Sequence, residues 1–455
     1  MASACGDTIF IIRGGPDGSA SPGFDSSTVT PDADTSGDGA ANPDSAPLVV
    51  CPAGSETRIS GTVYDPAGKT PLYNVRVFIP SGPLPPIPTG VPAPDPGTNR
   101  CATGRTCDSE VVNPIVATLS DSKGLFELKG PKVAPGRNVP LVIQVGKWRR
   151  AIVIPEVKAC ENTKLDRADT RLPKNGSEGD IPQIALTTGC DALECLLLDI
   201  GIDAAEFEAG NTGASKHVHM FKGAGAAPGV VNGKTMPLAN TLWFEPSTMQ
   251  PFDIAMLSCE CDEHAPGGSG TPNKPAGMRT MQDYTNWGGR VFGTHFHYSW
   301  MKYNDGWKNG ILDFSSSGSG GTPTTFPINT TFPKGQALAD WLVEVGASST
   351  PGQVTFDSAL LRESHRGAVT GSPAREWIGK GTTARYISFN TPSDAPANAQ
   401  CGRFVFSDIH STTSAATNFP SSCSALSNAQ LSLEYMFFDL SSCVQDETKP
   451  PEPPK

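Results

Sequence analysis

The chain has 455 residues, 48 Gly, 42 Pro, only 18% charged residues and a formal net charge of −11. That acidic balance opposes nucleic acid or an anionic membrane surface as the main partner, and no apolar run approaches the roughly 20 residues that span a bilayer. The length allows two or three domains and a sizeable core, with many turns and long loops between elements. The 12 Cys are many for a cytosolic protein of this size and indicate disulfides in an oxidising compartment. Several stand close together: Cys101/Cys107, Cys190/Cys195, Cys259/Cys261 and Cys423/Cys443. Pairing within these couples is the first expectation, although sequence alone does not fix connectivity. The C-x₂-C pairs of zinc ribbons are absent.

At the N-terminus, Ala2-Ser3-Ala4-Cys5 resembles the last residues of a bacterial lipoprotein signal, with Cys5 as the lipidated residue. The basic and apolar regions that precede such a site do not stand before it. The resemblance implies a secreted or periplasmic/outer-membrane lipoprotein of the cell envelope, with membrane contact only through a lipid anchor. Residues 14–46 are Gly, Ser, Asp, Thr and Pro with almost no large apolar side chain, so residues 1–55 read as this N-terminus plus a disordered acidic tether. Asp32, Asp34 and Asp38 echo a calcium loop, but the Glu that would close an EF-hand is missing.

From Arg58 the pattern changes to short alternating strands: Ile59 to Tyr64, Val75 to Ile79, and Thr118 to Leu128 with a turn at Asp121–Gly124. Leu141–Val145 and Ala151–Ile154 then form a hairpin across Gly146-Lys147, and a Pro-rich loop interrupts the set. Short strands with regular turns predict a small all-β sandwich. The runs GTVYDPAGKTPLYNVRVFI, TLSDSKGLFELKG and VPLVIQVGKWRR resemble the carboxypeptidase regulatory-like family over residues 56–165. The resemblance implies a transthyretin-like sandwich without catalytic residues, used as a spacer or binding surface. The segment contains no His.

Residues 180–445 read as an α/β domain. PQIALTT (182–188) opens it as a buried strand, and Asp191 and Glu194 are spaced as a capping box for a helix with Leu193, Leu196, Leu197 and Ile200 on its apolar face. His217–Phe221 is a second strand. Ile254–Leu257, a helix with Met278, Met281 and Tyr284 on one stripe, and Val291–Phe296 follow. Strand, helix and strand of this length predict a βαβ unit in a parallel sheet. A Gly/Ser/Thr-rich insertion at about 303–381 carries one helix, with Leu338, Trp341, Leu342 and Val345 as packing residues. Arg385–Phe389 and Gly402–Phe406 return to the sheet. A closing helix starts at Ser427 with a capping box to Gln430, and residues 446–455 read as a disordered tail.

In such sheets ligands bind beyond the carboxyl ends of the strands. Those ends carry Cys259, Glu260, Cys261, Asp262, Glu263 and His264 on one strand, His295 and His297 on the next, and Asp408 and His410 on the last. The order of elements resembles the class I glutamine amidotransferase-like fold, closest to its trehalose-utilisation-protein-like branch. The resemblance implies a doubly wound, flavodoxin-like sheet. Where amidotransferases carry G-x-C-x-G, this chain reads Gly293-Thr294-His295-Phe296-His297, so His295 stands in the nucleophile's place. Where they carry His-Pro-Glu, it reads His410-Ser411-Thr412, so the orienting carboxylate is replaced by Thr412. A Cys-His-Glu triad needs all three members, so glutamine amidotransferase activity is not expected.

The pocket residues are therefore Glu260, His264, His295, His297, Asp408 and His410. His295, His297, His410 and Asp408 form the candidate metal set, since imidazole and carboxylate suit a divalent ion such as zinc. Alternate strand residues face opposite sides, so only part of the set can share one pocket. Cys259 with His410 is the candidate nucleophile and base. His217 and His219 share a strand face, and His365 reads as part of a solvated charged surface. Two functions fit. The first is a non-catalytic cell-envelope binding protein for a carbohydrate, peptide or protein ligand, with Tyr298, Trp300 and Trp307 placed for stacking on a sugar. The alternative is a metal-dependent hydrolase acting on an envelope carbohydrate or amide through the His295/His297/His410 pocket.

Overall fold

The apolar alternation that begins at Arg58 produces seven strands in two sheets. In this computed structural model the described residues are 50–94, 101, 113–210, 216–224, 229–264, 274–315, 324–413, 418–423 and 427–453. Cys5 and the tether at 14–46 lie outside them. The chain divides into two units, residues 1–49 and 50–455, and the second holds all the described structure, of mixed α and β content.

Strands β1 (Arg58–Thr62), β2 (Arg76–Ile79), β3 (Val116–Leu119), β4 (Leu125–Leu128), β5 (Gly136–Val145), β6 (Trp148–Val157) and β7 (Asn162–Lys164) form sheets of order β4-β1-β7 and β3-β2-β5-β6. A short helix α1 (Arg167–Thr170) leads out of them. The turn at Asp121–Gly124 carries the chain from one sheet to the other, because β3 pairs with β2 whereas β4 pairs with β1.

The remainder builds one eight-stranded sheet from β8 (Ile184–Thr188), β9 (Phe207–Ala209), β10 (Val218–Lys222), β13 (Ile254–Leu257), β14 (Arg290–Thr294), β17 (Arg375–Ile378), β18 (Tyr386–Thr391) and β19 (Gly402–Ser407). Two small ribbons lie between these strands in the chain: β11 (Val230–Val231) with β12 (Lys234–Thr235), and β15 (Thr325–Pro327) with β16 (Gln353–Thr355). The large sheet's order is β17-β18-β19-β14-β13-β8-β10-β9. From β19 to β9 all neighbours are parallel, while β17 and β18 add antiparallel. The strands β9 and β17 have no counterpart in the sequence reading, because each is only three or four residues long and lacks clear alternation.

Helices α2 (Leu193–Asp199), α3 (Pro246–Met249), α4 (Lys274–Asn286), α5 (Ser299–Tyr303), α6 (Pro333–Glu344) and α7 (Asn428–Ser441) surround this sheet. Along β13 every residue is buried, but alternate residues enter different cores. Ile254 and Met256 join the cluster with α2 and α7, whereas Ala255 and Leu257 join the one with α4. A strand covered on both faces has to read as a continuous apolar run, as IAML does. The capping box Ser427/Gln430 starts α7 as the sequence indicates. The one expected at Asp191/Glu194 does not form: α2 begins after Ala192 without a side-chain cap, because Asp191 is engaged elsewhere.

The first core is shared. It runs from Ile59, Val77 and Leu141 through Trp148 to Leu433, Met436 and Phe437 of α7. Trp148 is fully buried, edge-on to Phe437 and Phe438, and Tyr73 stacks on Tyr435. Trp341 donates its ring N–H to the Pro71 carbonyl at 2.6 Å. At the amino end of the parallel strands, Asp253 accepts from Lys147 (2.6 Å) and from the backbone N–H of Gly90 and Gln183. Only the start of the tail expected to be free is tied to the sheet. Val444 is buried, and Glu447 accepts from Arg403 at 2.6 Å, beside the buried Arg403–Asp439–Lys334 ion group.

Disulfide connectivity differs from the local couples. Cys51 pairs with Cys160, Cys101 with Cys401, Cys190 with Cys261, and Cys195 with Cys423, while Cys443 is also disulfide-bonded. Cys259 is free and buried. Each of these four bridges joins cysteines from separate elements, which sequence spacing does not reveal. Among the described residues no helix is long and apolar enough to cross a membrane.

If Trp148 joins the β-sheet part to α7, Trp148→Ala should lower stability by about 3–5 kcal/mol. Far-UV and near-UV signals should then still be lost together in denaturant. A change under about 1 kcal/mol, or two separate transitions in the wild type, would contradict the shared core.

Candidate metal-binding site

Because β8, β13, β14 and β19 are parallel neighbours, their carboxyl ends open on one edge of the sheet. Three side chains meet there from three different ends. Cys259 lies two residues beyond β13, His295 is the first residue after β14, and His410 is three residues beyond β19. The Cys259 Sγ is 3.4 Å from His295 Nδ1, and the rings of His295 and His410 are 5.3 Å apart. One donor atom from each of the three lies within 4.8 Å of the other two. This group is close enough to hold a single metal ion.

Local structure holds each donor in place. The Cys259 N–H donates to Thr294 Oγ1 at 2.9 Å, and its carbonyl accepts from Cys190 N–H at 2.5 Å. The Cys190–Cys261 disulfide ties the same two strand ends together. His295 has φ 39°, left-handed backbone that a side chain of this size rarely adopts. It is the corner where β14 turns into a 3₁₀ helix, His295–Tyr298, a sharp strand-to-helix turn of the kind that presents a reactive side chain. His410 is anchored through its backbone N–H to Leu360 in the insertion, at 2.9 Å.

Burial sets the charge state. It pushes the Cys259 thiol up to about 11, against the opposing pull of the Phe296 and Cys261 backbone N–H groups. It lowers His295 to about 3, helped by the neighbouring His410 and by the positive charges of Arg362 and Lys274. His410 is also lowered by burial, with Asp191 acting the other way. At neutral pH the group is a thiol and two uncharged imidazoles, and neither ring nitrogen of His410 has a hydrogen-bond partner. A thiolate–imidazolium pair, which a cysteine nucleophile requires, is disfavoured here. The Cys259/His410 nucleophile reading therefore loses its electrostatic basis.

The remaining expected pocket residues have other roles. His297 is fully buried with both nitrogens engaged: Nε2 at 2.9 Å from the Ser258 carbonyl, and Nδ1 accepting from the Trp300 ring N–H at 3.0 Å. It cannot join the metal set. In a 3₁₀ helix residues two apart point about 120° away from each other, so His295 and His297 diverge. Asp408 accepts from Ser364 N–H and Oγ and faces His365, outside the three-residue group. Glu260 is fully buried in an ion pair with Lys274 at 3.0 Å. His264 is buried with both nitrogens unpartnered but is not among the converging donors.

Trp300 and Trp307 are core residues packed on Trp243, Phe389 and Phe404, so they do not line a sugar platform. His219 is satisfied by Gly210 and Gln183, and His217 pairs with Glu206, at the amino-end side of β10 rather than in the site. His365 is buried against Phe406 and Phe314 instead of lying on a solvated face.

Sequence reasoning left Cys259 out of the metal set by coupling it to Cys261, and it placed Asp191 in a helix cap. One signal for Cys259 was present. Reserving Cys5 for lipid leaves an odd number of the 12 Cys, so one has to stay unpaired. No protein-family model matches this chain, and no curated protein matches it.

Two measurements check this geometry. Alkylation of native protein should leave Cys259 unmodified near pH 8, with the rate climbing toward pH 11. Denatured, unreduced protein should label Cys259 but not the cysteines of the four mapped disulfides or Cys443. Rapid native labelling at pH 7 would contradict the neutral, buried thiol. For pH and stability, an unfolded histidine takes up its proton near 6.5 and folded His295 only near 3. The unfolded state therefore binds more protons in that window, and stability falls as pH drops from about 6.5 to 3. His295→Asn should make that loss shallower; an unchanged slope in urea titrations at pH 7 and 4 would refute it.

Proposed function

We propose that this chain is an extracellular metal-binding protein in which Cys259, His295 and His410 hold one divalent ion of the zinc class. The observation that carries the reading is the convergence of three donors from separate strand ends within 4.8 Å. Cys259 is the described cysteine left unpaired beside four mapped disulfides. The imidazoles are uncharged, which metal ligation needs. Burial keeps the metal-free Cys259 a thiol, so an ion binding there would displace its proton.

Three protein ligands leave a coordination position for water, and a bound ion would supply a Lewis acid and a hydroxide source there. The residues of this chain bind and orient it: His295 is partly exposed and marks the open side, while Cys259 and His410 form the buried side. Metal-assisted hydrolysis of an envelope amide or carbohydrate is the reaction this arrangement suits. The site therefore favours metal-dependent chemistry over a purely non-catalytic binding module. The left-handed corner at His295 and the parallel sheet order support a doubly wound, amidotransferase-like scaffold whose nucleophile position has become a ligand position. The two small sheets support a transthyretin-like sandwich before it. The disulfides support an oxidising compartment, as for an envelope lipoprotein.

Metal analysis of purified protein after reconstitution with Zn²⁺ should give one ion per chain. Cys259→Ala, His295→Ala and His410→Ala should each reduce this to a small fraction, because loss of one of three ligands leaves an incomplete shell. His297→Asn should keep the ion. Equal metal content in wild type and all three ligand variants would eliminate the metal reading and leave the non-catalytic binding module.

A further inference from the structure

A metal-bound histidine almost always donates its other ring N–H to a carboxylate or carbonyl, which fixes the tautomer and raises the ligand's basicity. In amidotransferases that carboxylate would follow His410 by two residues, where this chain has Thr412. The structure brings a different carboxylate beside residues 411 and 412. Asp191, at the end of β8, is fully buried, and its Oδ1 is saturated. It accepts from Ser411 Oγ (2.6 Å), Ser411 N–H (2.8 Å), Ala192 N–H (3.0 Å) and Thr412 N–H (3.2 Å). Three of those four donors belong to the two residues directly after His410. The other oxygen, Oδ2, is buried without any hydrogen-bond partner, and so are both ring nitrogens of His410.

Asp191 and His410 influence one another electrostatically, with the carboxylate favouring a protonated ring. A buried carboxylate oxygen and a buried imidazole, each lacking a partner, both carry a desolvation cost. That cost is removed if one ring nitrogen ligates a metal and the other N–H turns to Oδ2. From this geometry we infer that Asp191 is the positioning residue of the metal site, with its free Oδ2 accepting the His410 ring N–H that lies opposite the ligating nitrogen. The inference rests on the metal reading above. It assigns to the β8 end the role that the residue at 412 has lost, and it explains why Asp191 is withdrawn from capping α2.

Asp191→Asn tests it with little disturbance, because the amide keeps an acceptor at Oδ1 and changes only the unpartnered atom. With Zn²⁺, the wild type should bind one ion and Asp191→Asn should bind 10–100-fold more weakly. The metal-free proteins should unfold at nearly the same denaturant concentration. Substitution with Co²⁺ should give a thiolate-to-metal band in both proteins, with ligand-field bands shifted in the variant; a merely structural role would not move them. Asp191→Glu should recover part of the affinity. If Asp191→Asn fails to fold, the comparison is made with Asp191→Glu, which should bind about tenfold more weakly than wild type. Wild-type binding with equal affinity and an unchanged Co²⁺ spectrum in the variant would overturn the role of Asp191 alone. Absence of Zn²⁺ binding in the wild type would overturn the metal reading and this inference together.

Discussion

Everything at the site depends on how closely β8 and β13 approach at their carboxyl ends. A side chain at Gly189 would collide with the carbonyl oxygens of Ser258 and Cys259, so only glycine permits the contact. Once the backbones meet, Cys190 N–H donates to the Cys259 carbonyl and the Cys190–Cys261 disulfide closes beside it. Cys261 is thereby drawn away from Cys259, and its φ of 63° shows the reversal this takes. Cys259 remains a thiol in a chain that oxidises its described neighbours. It points toward β14, where Thr294 holds its backbone and His295 meets its sulfur.

The same edge carries several buried charges, and geometry separates them by role. Glu260 and Lys274 form a fully buried ion pair, and Lys274 also donates to the Phe296 carbonyl at 3.2 Å. That pair holds the start of α4 against the His295 turn. Its positive member helps keep His295 and His297 uncharged. Asp408, pushed up to about 7 by burial, is bound by Ser364 of the insertion. The insertion is thus part of the site's frame: Leu360 anchors His410, Ser364 holds Asp408, and Arg362 adds positive potential at both His295 and His410.

The β-sheet part contributes at a distance. Its Trp148 and Tyr73 pack on α7, and its Lys147 neutralises Asp253 under the amino ends of β8 and β13. A buried carboxylate left unpaired there would be costly, so the sheet that presents Cys259, His295 and His410 is stabilised from below by residues far from them in sequence. This argues against treating the first hundred residues of the structure as a detachable spacer.

From the sequence alone, the parallel strands were legible wherever both faces are covered, as at IAML, and helices wherever one stripe is apolar, as in α4, α6 and α7. Local rules suffice for these, because period and capping are written in adjacent residues. The edge of the sheet that matters was also legible, since His295 and His410 follow directly from strand ends. What only the tertiary structure decided is which donors converge. Disulfide partners lie 71 to 300 residues apart among the mapped pairs, so no spacing rule would free Cys259 or pair Cys261 with Cys190. A 3₁₀ turn rotates His297 into the core, and Ser411 and Thr412 fold back onto Asp191 beside His410. Backbone direction at a strand end is set by long-range packing rather than by the residue types there. The chemistry of this chain was therefore readable as a set of candidates, and its selection was made by the fold.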